Sequence, residues 1–498
     1  MNILHKKLTH WMSAACLLGW FAMLTTVGSS AQEILTDDLA QARETMRRAA
    51  NFYRSQVSQH GGYVYHYDLD LQRRWGEGEA TADQIWVQAP GTPTVGLAYL
   101  AAYQATGEAF YLESATAAAE ALCYGQLQSG GWTNCVDFDP HGERVALYRN
   151  GRGGGKNNSS LDDAQTQSAL QFLMRVDAAH QFKHADIHQA VEIGLQSLLA
   201  AQFACGAFPQ VWSGPTAEPS SSQNSKGQAL RGNYPRLDWR SEGKIKEYWT
   251  LYTLNDGLAE SVAETLHTAH QVYNDKRYLQ ALTKLGDFLI QAQMPETQPA
   301  WAQQYNFDMQ PVWARKFEPP AISGLESQGV LRVLLQLYRV TGEEKYLAPV
   351  PTALAYLQRS QLSEGRLARY YELQTNRPLY MQRQGDVYLL TYDDNNLPDH
   401  YGWQVPAELA ALQAAYETVR AERADTAKHI DADGAQNLVQ RQRVRPLVDS
   451  LDAQGRWISQ SHGERLVGQK VFPEGTRYLS SDVFSRNLTQ LADFVANP

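Results

Sequence analysis

Cysteine is scarce in this chain, with four among 498 residues. Cys16 lies in the leading apolar segment, which leaves Cys123, Cys135 and Cys205. That odd remainder allows one disulfide at most, and no pair has zinc-ligand spacing, so neither a disulfide-stapled scaffold nor a zinc module is indicated. Positive charge is short as well: 44 Lys+Arg stand against 53 Asp+Glu, for a formal net charge of −9. A nucleic-acid binder or an anionic-membrane binder needs the opposite field. Beyond the first thirty residues no apolar run is long enough to span a bilayer. Catalytic signatures are missing too. Gly151 to Lys156 is glycine-rich but lacks the spacing and the Ser/Thr of a phosphate loop, with Asn157 in that place. Ser327 between Gly324 and Gly329 does not have nucleophile-elbow spacing. The 13 His are scattered and form no zinc-peptidase helix.

What is present begins with an export signal. Lys6 and Lys7 precede an apolar run from Trp11 to Val27, and Ser29-Ser30-Ala31 precede Gln32. This order predicts a signal peptide over residues 1–31, a mature chain starting at Gln32, and a secreted or periplasmic protein.

Of the residues, 43% are hydrophobic and 19% charged, as in a globular protein with a large core. An internal repeat organises that core. Tyr103 to Gly107 leads to Tyr111-Leu112, Gln126 and Gly130-Gly131-Trp132; Tyr273-Asn274 leads to Tyr278-Leu279, Gln293 and Pro299-Ala300-Trp301. Tyr338 to Gly342 leads to Tyr346-Leu347, Gln361 and Gly365-Arg366, with the same Tyr-to-Gln spacing. A degenerate copy runs from Ile187 to Gln202 and Gly206-Ala207-Phe208-Pro209. Val95, Ala98, Tyr99 and Ala102, like Ala169, Phe172, Leu173 and Val176, follow the helical stripe. Gly107 and Gly342 stand where a helix stop needs a left-handed residue. Each unit is therefore a helix, a tight turn, a second helix and a long loop. Such hairpins closed into a ring give an all-α (α/α) toroid, as one domain over residues 36–498, with its loops gathered at one end. Residues 213–247 read as a loop inserted above the ring, and residues 418–446 as a charged surface helix.

Chemistry concentrates at the loop ends. Leu161-Asp162-Asp163 with Thr166 opens the helix of the second unit, and Tyr252 to Asp256-Gly257 stands at the same place in the third. Each Asp alone reads equally as a helix N-cap. The pair, facing one cavity, has the oxygen chemistry that calcium takes. Trp301, Gln303, Gln304, Tyr305, Trp313, Arg315 and Glu318 in one segment, and Arg366, Arg369, Tyr370, Tyr371 and Arg377 in the next unit, combine rings with arginines. That combination suits a sugar acid, since rings stack on the pyranose face and Arg forks onto a carboxylate.

Asp162-Asp163 with the following Thr166, Gly206 to Gln210, Tyr252 to Gly257, and above all Pro299 to Tyr305 with Trp313-Ala314-Arg315 through Glu326-Ser327, resemble successive motifs of the family 10 pectate lyases. The resemblance runs over most of residues 90–395, and Tyr478 to Phe494 also fits. It implies an (α/α) toroid, calcium dependence and β-elimination of polygalacturonate or a related acidic polysaccharide. It further implies Arg315 as catalytic base, and Asp256 and Asp163, with Asp162, as metal or substrate-carboxylate residues, Asp256 also serving catalysis. Arg369 becomes a substrate clamp, with Trp132, Gln210, Trp301 and Arg377 as further substrate contacts. Thr133-Asn134 stands where the family has Pro-Lys, which removes a cation. A monomer acting on a polysaccharide, without nucleic acid or membrane partners, is the corresponding expectation.

Elimination from a 4-linked uronate needs removal of the proton α to the carboxylate, and a cation on that carboxylate acidifies it. Arginine is an awkward base because its pKa exceeds about 12, so Arg315 acts either at alkaline pH or electrostatically. A glycoside hydrolase drawing a pair from Asp163, Asp256 and Glu326, and a glycan binder without turnover, remain alternatives.

Overall fold

The computed structural model describes residues 36–217, 230–236, 238–240, 246–363, 365–422 and 444–497. The expected signal peptide and its cleavage point at Gln32 lie outside the described residues. Helix α1 (residues 36–52) ends in a π-helical turn at Tyr53–Val57. Four helical hairpins follow: α2 (Thr92–Thr106) with α3 (Ala109–Tyr124), α4 (Gln165–Ala179) with α5 (Ala185–Ala201), α6 (Leu258–Tyr273) with α7 (Lys276–Ala292), and α8 (Gly324–Thr341) with α9 (Val350–Arg359). The chain finishes through α10 (Leu409–Glu422), α11 (residues 444–449) and α12 (Ser481–Ala496).

The fold is an all-α (α/α) toroid. Its inner helices pack in succession, α2 on α4, α4 on α6, α6 on α8 and α8 on α10, while α12 packs against α2. Helices α3, α5, α7 and α9 back them from outside. The apolar stripes predicted this: Val95, Ala98, Tyr99 and Ala102, and Ala169, Phe172, Leu173 and Val176, are all buried. The helix stops also fall as the turn residues require, with Gly107, Asn274 and Gly342 left-handed at φ 72°, 51° and 71°.

Short strands build the loop end. Strands β1 (His66–Tyr67), β2 (Arg74–Trp75) and β3 (Glu79–Ala80) join β16 (Ile458–Gln460) and β17 (Arg477–Ser480) in one sheet of order β16-β17-β1-β2-β3. Between these lie β4 (Gln84–Trp86), β5 (Cys135–Asp137), β6 (Ser159–Ser160), β7 (Val211–Trp212), β8 (Tyr252–Thr253), β9 (Gln304–Tyr305), β10 (Ala321–Ser323), β11 (Arg366–Ala368), β12 (Tyr370–Glu372), β13 (Pro378–Gln384), β14 (Val387–Thr391) and β15 (Gln404–Pro406). Strands β4, β6, β8 and β10 run into the N-termini of α2, α4, α6 and α8. Each pairs antiparallel with a strand after its own hairpin: β4 with β5, β6 with β7, β8 with β9, and β10 with β12, the second strand after α9. The repeating unit is thus strand, helix, helix, strand, and all four ladders stand at one end of the inner ring.

The repeated glutamines act as latches between units. Gln126 donates from Nε2 to Gly130 O and to Ala190 O of α5, both at 2.8 Å. Gln202 donates to Gly206 O at 3.0 Å and to Ala281 O of α7 at 2.8 Å. Gln293 donates to Pro299 O at 3.0 Å and to Pro349 O before α9 at 3.2 Å. The described part of the 213–247 loop crosses the loop end, where Asn233 Nδ2 donates to Asp308 O and Trp239 O accepts from Trp313. Of the expected charged surface helix, residues 423–443 are outside the described residues. Cys123, Cys135 and Cys205 form no disulfide. Among the described residues no helix is long and apolar enough to cross a membrane.

Candidate active site

Two successive ladders deliver three aspartates to one cleft. After β6 the chain turns through a short 3-10 segment, Asp162–Ala164, into α4; after β8 it turns through Asn255–Gly257 into α6. Asp163 (φ 45°, ψ 35°) and Asp256 (φ 53°, ψ 38°) are both left-handed. This conformation is uncommon outside glycine and marks a position held by its surroundings. Neither Asp caps its helix through its side chain, so the capping alternative is not what these side chains do. Instead, carboxylate oxygens of Asp162, Asp163 and Asp256 all lie within 4.8 Å of one another.

Two arginines face this cluster. Arg315 Nη2 is 3.4 Å from Asp162 Oδ1 and 3.6 Å from Asp256 Oδ2, while its Nη1 is 3.6 Å from Glu318 Oε1. Arg369 Nη2 is 3.2 Å from Asp256 Oδ1 and 3.5 Å from Glu326 Oε1, and its guanidinium lies over the Tyr401 ring at 4.4 Å. Glu326 is sealed in at the start of α8, where Ser323 caps the helix through the amides of Leu325 and Glu326 and bonds the Glu326 carboxylate. Gln210 Nε2 donates to Asp162 Oδ1 at 2.6 Å, and Asn255 Nδ2 to Asp256 Oδ2 at 2.7 Å.

The charges are out of balance locally. Asp163 is pushed up to about 7, first by partial desolvation in the cleft and then by Asp256 and Asp162. Burial raises Asp162, Glu318 and Glu326 as well. For Arg315 burial pulls downward, but Glu318, Asp256 and Asp162 outweigh it and hold the guanidinium above its ordinary value. Three carboxylates this close are an oxygen donor set of the kind that calcium takes, and a cation would relieve their repulsion. The residues present therefore fit such an ion, with Asp162, Asp163 and Asp256 as its ligands.

The remaining predicted residues divide. Gln210 and Arg369 join the aspartates, as described. Trp132 and Trp301, expected to meet substrate, are fully buried. Their indole nitrogens donate to Leu122 O at 2.8 Å and Leu289 O at 2.7 Å, so each ring plugs the end of an outer helix and has no face for a ligand. Phe208 is buried in the same way. Arg377 is exposed and stacks on Tyr392, 3.4 Å from the ring centre, beside Glu372 and not beside the aspartates. The sequence reading also missed members of the site. Tyr248 and Tyr401 lie against Arg315 and Arg369. Glu77 and Gln88 reach the cluster from the N-terminal segment, and for Glu77 the flanking Gly76 and Gly78 were the available signal of a built turn.

Comparison with known proteins follows the same line. Residues 126–338 match the family model described as pectic acid lyase. No curated protein matches the chain. Among solved structures, a family 10 polysaccharide lyase from Cellvibrio cellulosa is 20% identical, covering 66% of this chain and 97% of its own, with a TM-score of 0.46. A cellobiose 2-epimerase from Spirochaeta thermophila is 13% identical over 95% of this chain and 98% of its own, with a TM-score of 0.43. A GH76 α-mannanase from Bacteroides thetaiotaomicron is 9% identical over 92% and 95%, with a TM-score of 0.42. The matched segment carries Asp162, Asp163, Gln210, Asp256, Arg315 and Glu326, and through it the chain is related to the pectic acid lyase family.

Proposed function

We propose that the protein is an exported, calcium-dependent lyase that cleaves polygalacturonate or a related acidic polysaccharide by β-elimination. The observation that carries this reading is the convergence of Asp162, Asp163 and Asp256 within 4.8 Å, with Arg315 and Arg369 against them. A cation held by the three aspartates would neutralise a substrate carboxylate and make its α-proton acidic. Arg315 and Arg369 supply fixed positive charge for the same carboxylate and for the enolate-like charge that develops from it. The carboxylates that raise Arg315 favour this electrostatic role over proton abstraction by its neutral form. Gln210 orients Asp162, and Glu318 orients Arg315 by accepting its backbone N–H at 2.8 Å.

The arrangement disfavours an inverting hydrolase. Glu326 is buried and committed to Ser323 and Arg369, and the Asp163 and Asp256 oxygens stand at chelating distance, leaving no room for the water that an inverting carboxylate pair admits. The test is incubation with polygalacturonate, following ultraviolet absorbance of the unsaturated product with calcium and with chelator. Signal only with calcium supports the proposal. Reducing ends without absorbance would establish hydrolysis, and retention without either would establish a binder.

A further inference from the structure

One wall of the cleft comes from outside the family-matched segment. Gly76-Glu77-Gly78 is a tight turn between β2 and β3, closed by a Gly76 N–H to Gly78 O bond of 2.9 Å. It lies flat on the Trp86 indole, where a Cβ at Gly76 would stand 2.1 Å from the ring. From behind, Gly468 is packed on Gly76 so closely that a Cβ there would be 2.2 Å from the Gly76 carbonyl oxygen. The turn is thus fixed on both sides, and Glu77 at its tip is exposed.

Its carboxylate is oriented by two amides. Gln88 Nε2 donates to Glu77 Oε1 at 2.8 Å, and Asn134 Nδ2 donates to Oε2 at 2.7 Å. The same Gln88 nitrogen is 3.4 Å from Asp163 Oδ2, so Glu77 is no further from the aspartates than two hydrogen bonds laid end to end. Gln88 is itself buried and anchored by Gln165 Nε2 at 3.2 Å. Beneath it, Gln165 Oε1 has no hydrogen-bond partner among the described residues, and fully buried Tyr65 faces Gln88, Glu77 and Asp163. Among the described residues Glu77 makes no ion pair, and the nearby Arg144 stacks over Trp86 instead.

The aspartates therefore have two kinds of neighbour, arginines at Asp162 and Asp256 and an oriented carboxylate between carboxamides near Asp163. A carboxylate flanked by amide groups accepts and donates to sugar hydroxyls, and it repels a second carboxylate. We propose that Glu77, Gln88 and Asn134 form a subsite that takes a neutral sugar next to the uronate held at the arginines, and that Glu77 rejects a uronate there. This rests on the lyase reading above and sharpens its substrate to a polymer that mixes uronate with neutral sugar.

The test compares wild type with Glu77→Gln, which keeps the side-chain shape, and Glu77→Lys, which reverses its charge. Two polymers serve as probes: a galacturonate homopolymer, and one alternating galacturonate with a neutral sugar. Binding is read by retardation in gels containing each polymer, and turnover by ultraviolet product. Wild type should prefer the alternating polymer, and Glu77→Gln should improve binding and kcat/KM on the homopolymer by about tenfold, with Glu77→Lys further. An unchanged polymer preference in both variants overturns the subsite. So does a tenfold weaker calcium affinity in Glu77→Gln, which would make Glu77 a metal ligand. The expected retardation pattern with no ultraviolet product would overturn the lyase reading and leave the subsite standing.

Discussion

Asp163 and Asp256 are the same residue of successive units: each is left-handed, each sits between a short strand and an inner helix, and their carboxylates meet in one cluster. Asp256 also receives both arginines, Arg369 on Oδ1 and Arg315 on Oδ2. Removing its charge should therefore unbalance the site more than removing that of Asp163. Asp256→Asn is expected to weaken calcium binding by tenfold or more and to lower substrate affinity, whereas Asp163→Asn weakens calcium binding alone. Calorimetric titration of calcium, followed by substrate retention at saturating calcium, separates the two. Equal behaviour of the variants would remove the distinction.

Arg315→Lys keeps one positive charge but not the fork that reaches Asp162, Asp256 and Glu318 together. Turnover should fall on the order of 10²-fold, the scale of a positioned catalytic group, with substrate binding retained. Steady-state kcat and KM decide it, and full activity in this variant would end the case for Arg315.

Trp301 is a packing residue, not a sugar platform. Trp301→Ala should cost about 3–5 kcal/mol of stability through the cavity it leaves. Urea unfolding measures the loss. A change confined to KM, with stability intact, would restore a role in binding.

His66 supplies a pH dependence. It is buried between the N-terminal hairpin and the C-terminal segment, with Nε2 3.0 Å from Val467 O, and burial lowers its pKa. Asp482 opposes that shift and Lys470 adds to it. The unfolded chain takes up this proton at about pH 6.5 and the folded one only at lower pH, so stability is full above that point and declines as pH falls through it. The decline from this residue is at most about 1.4 kcal/mol per pH unit. His66→Gln, which keeps a donor for Val467, should flatten the stability profile below pH 6.5, and an identical profile would count against this assignment.

Much of the ring was legible because periodicity is a local property. The stripes of α2 and α4, the stops at Gly107 and Gly342, and the Tyr-to-Gln spacing each report a helix end or face within a few turns of chain. The aspartates were legible for the same reason, since they recur at one place in the unit. What was misread depends on depth. Trp132 follows Gly130-Gly131 and Trp301 follows Pro299-Ala300, both in loops, and nothing local distinguishes a ring that lines a cleft from one that fills a helix end. For Glu77 the flanking glycines signal a turn but not what it faces, because its partners, Gln88 and Asn134, come from other loops.

The glutamine latches bear on how such a chain can change. Gln126, Gln202 and Gln293 each tie the turn after one outer helix to the next outer helix along the ring. Deleting or exchanging a whole unit would strand carbonyls in both neighbours, whereas lengthening a loop beyond the latch disturbs neither. Novelty can therefore accumulate at the loop end, where the described part of the 213–247 loop and the Glu77 turn are found, while the ring itself is inherited whole.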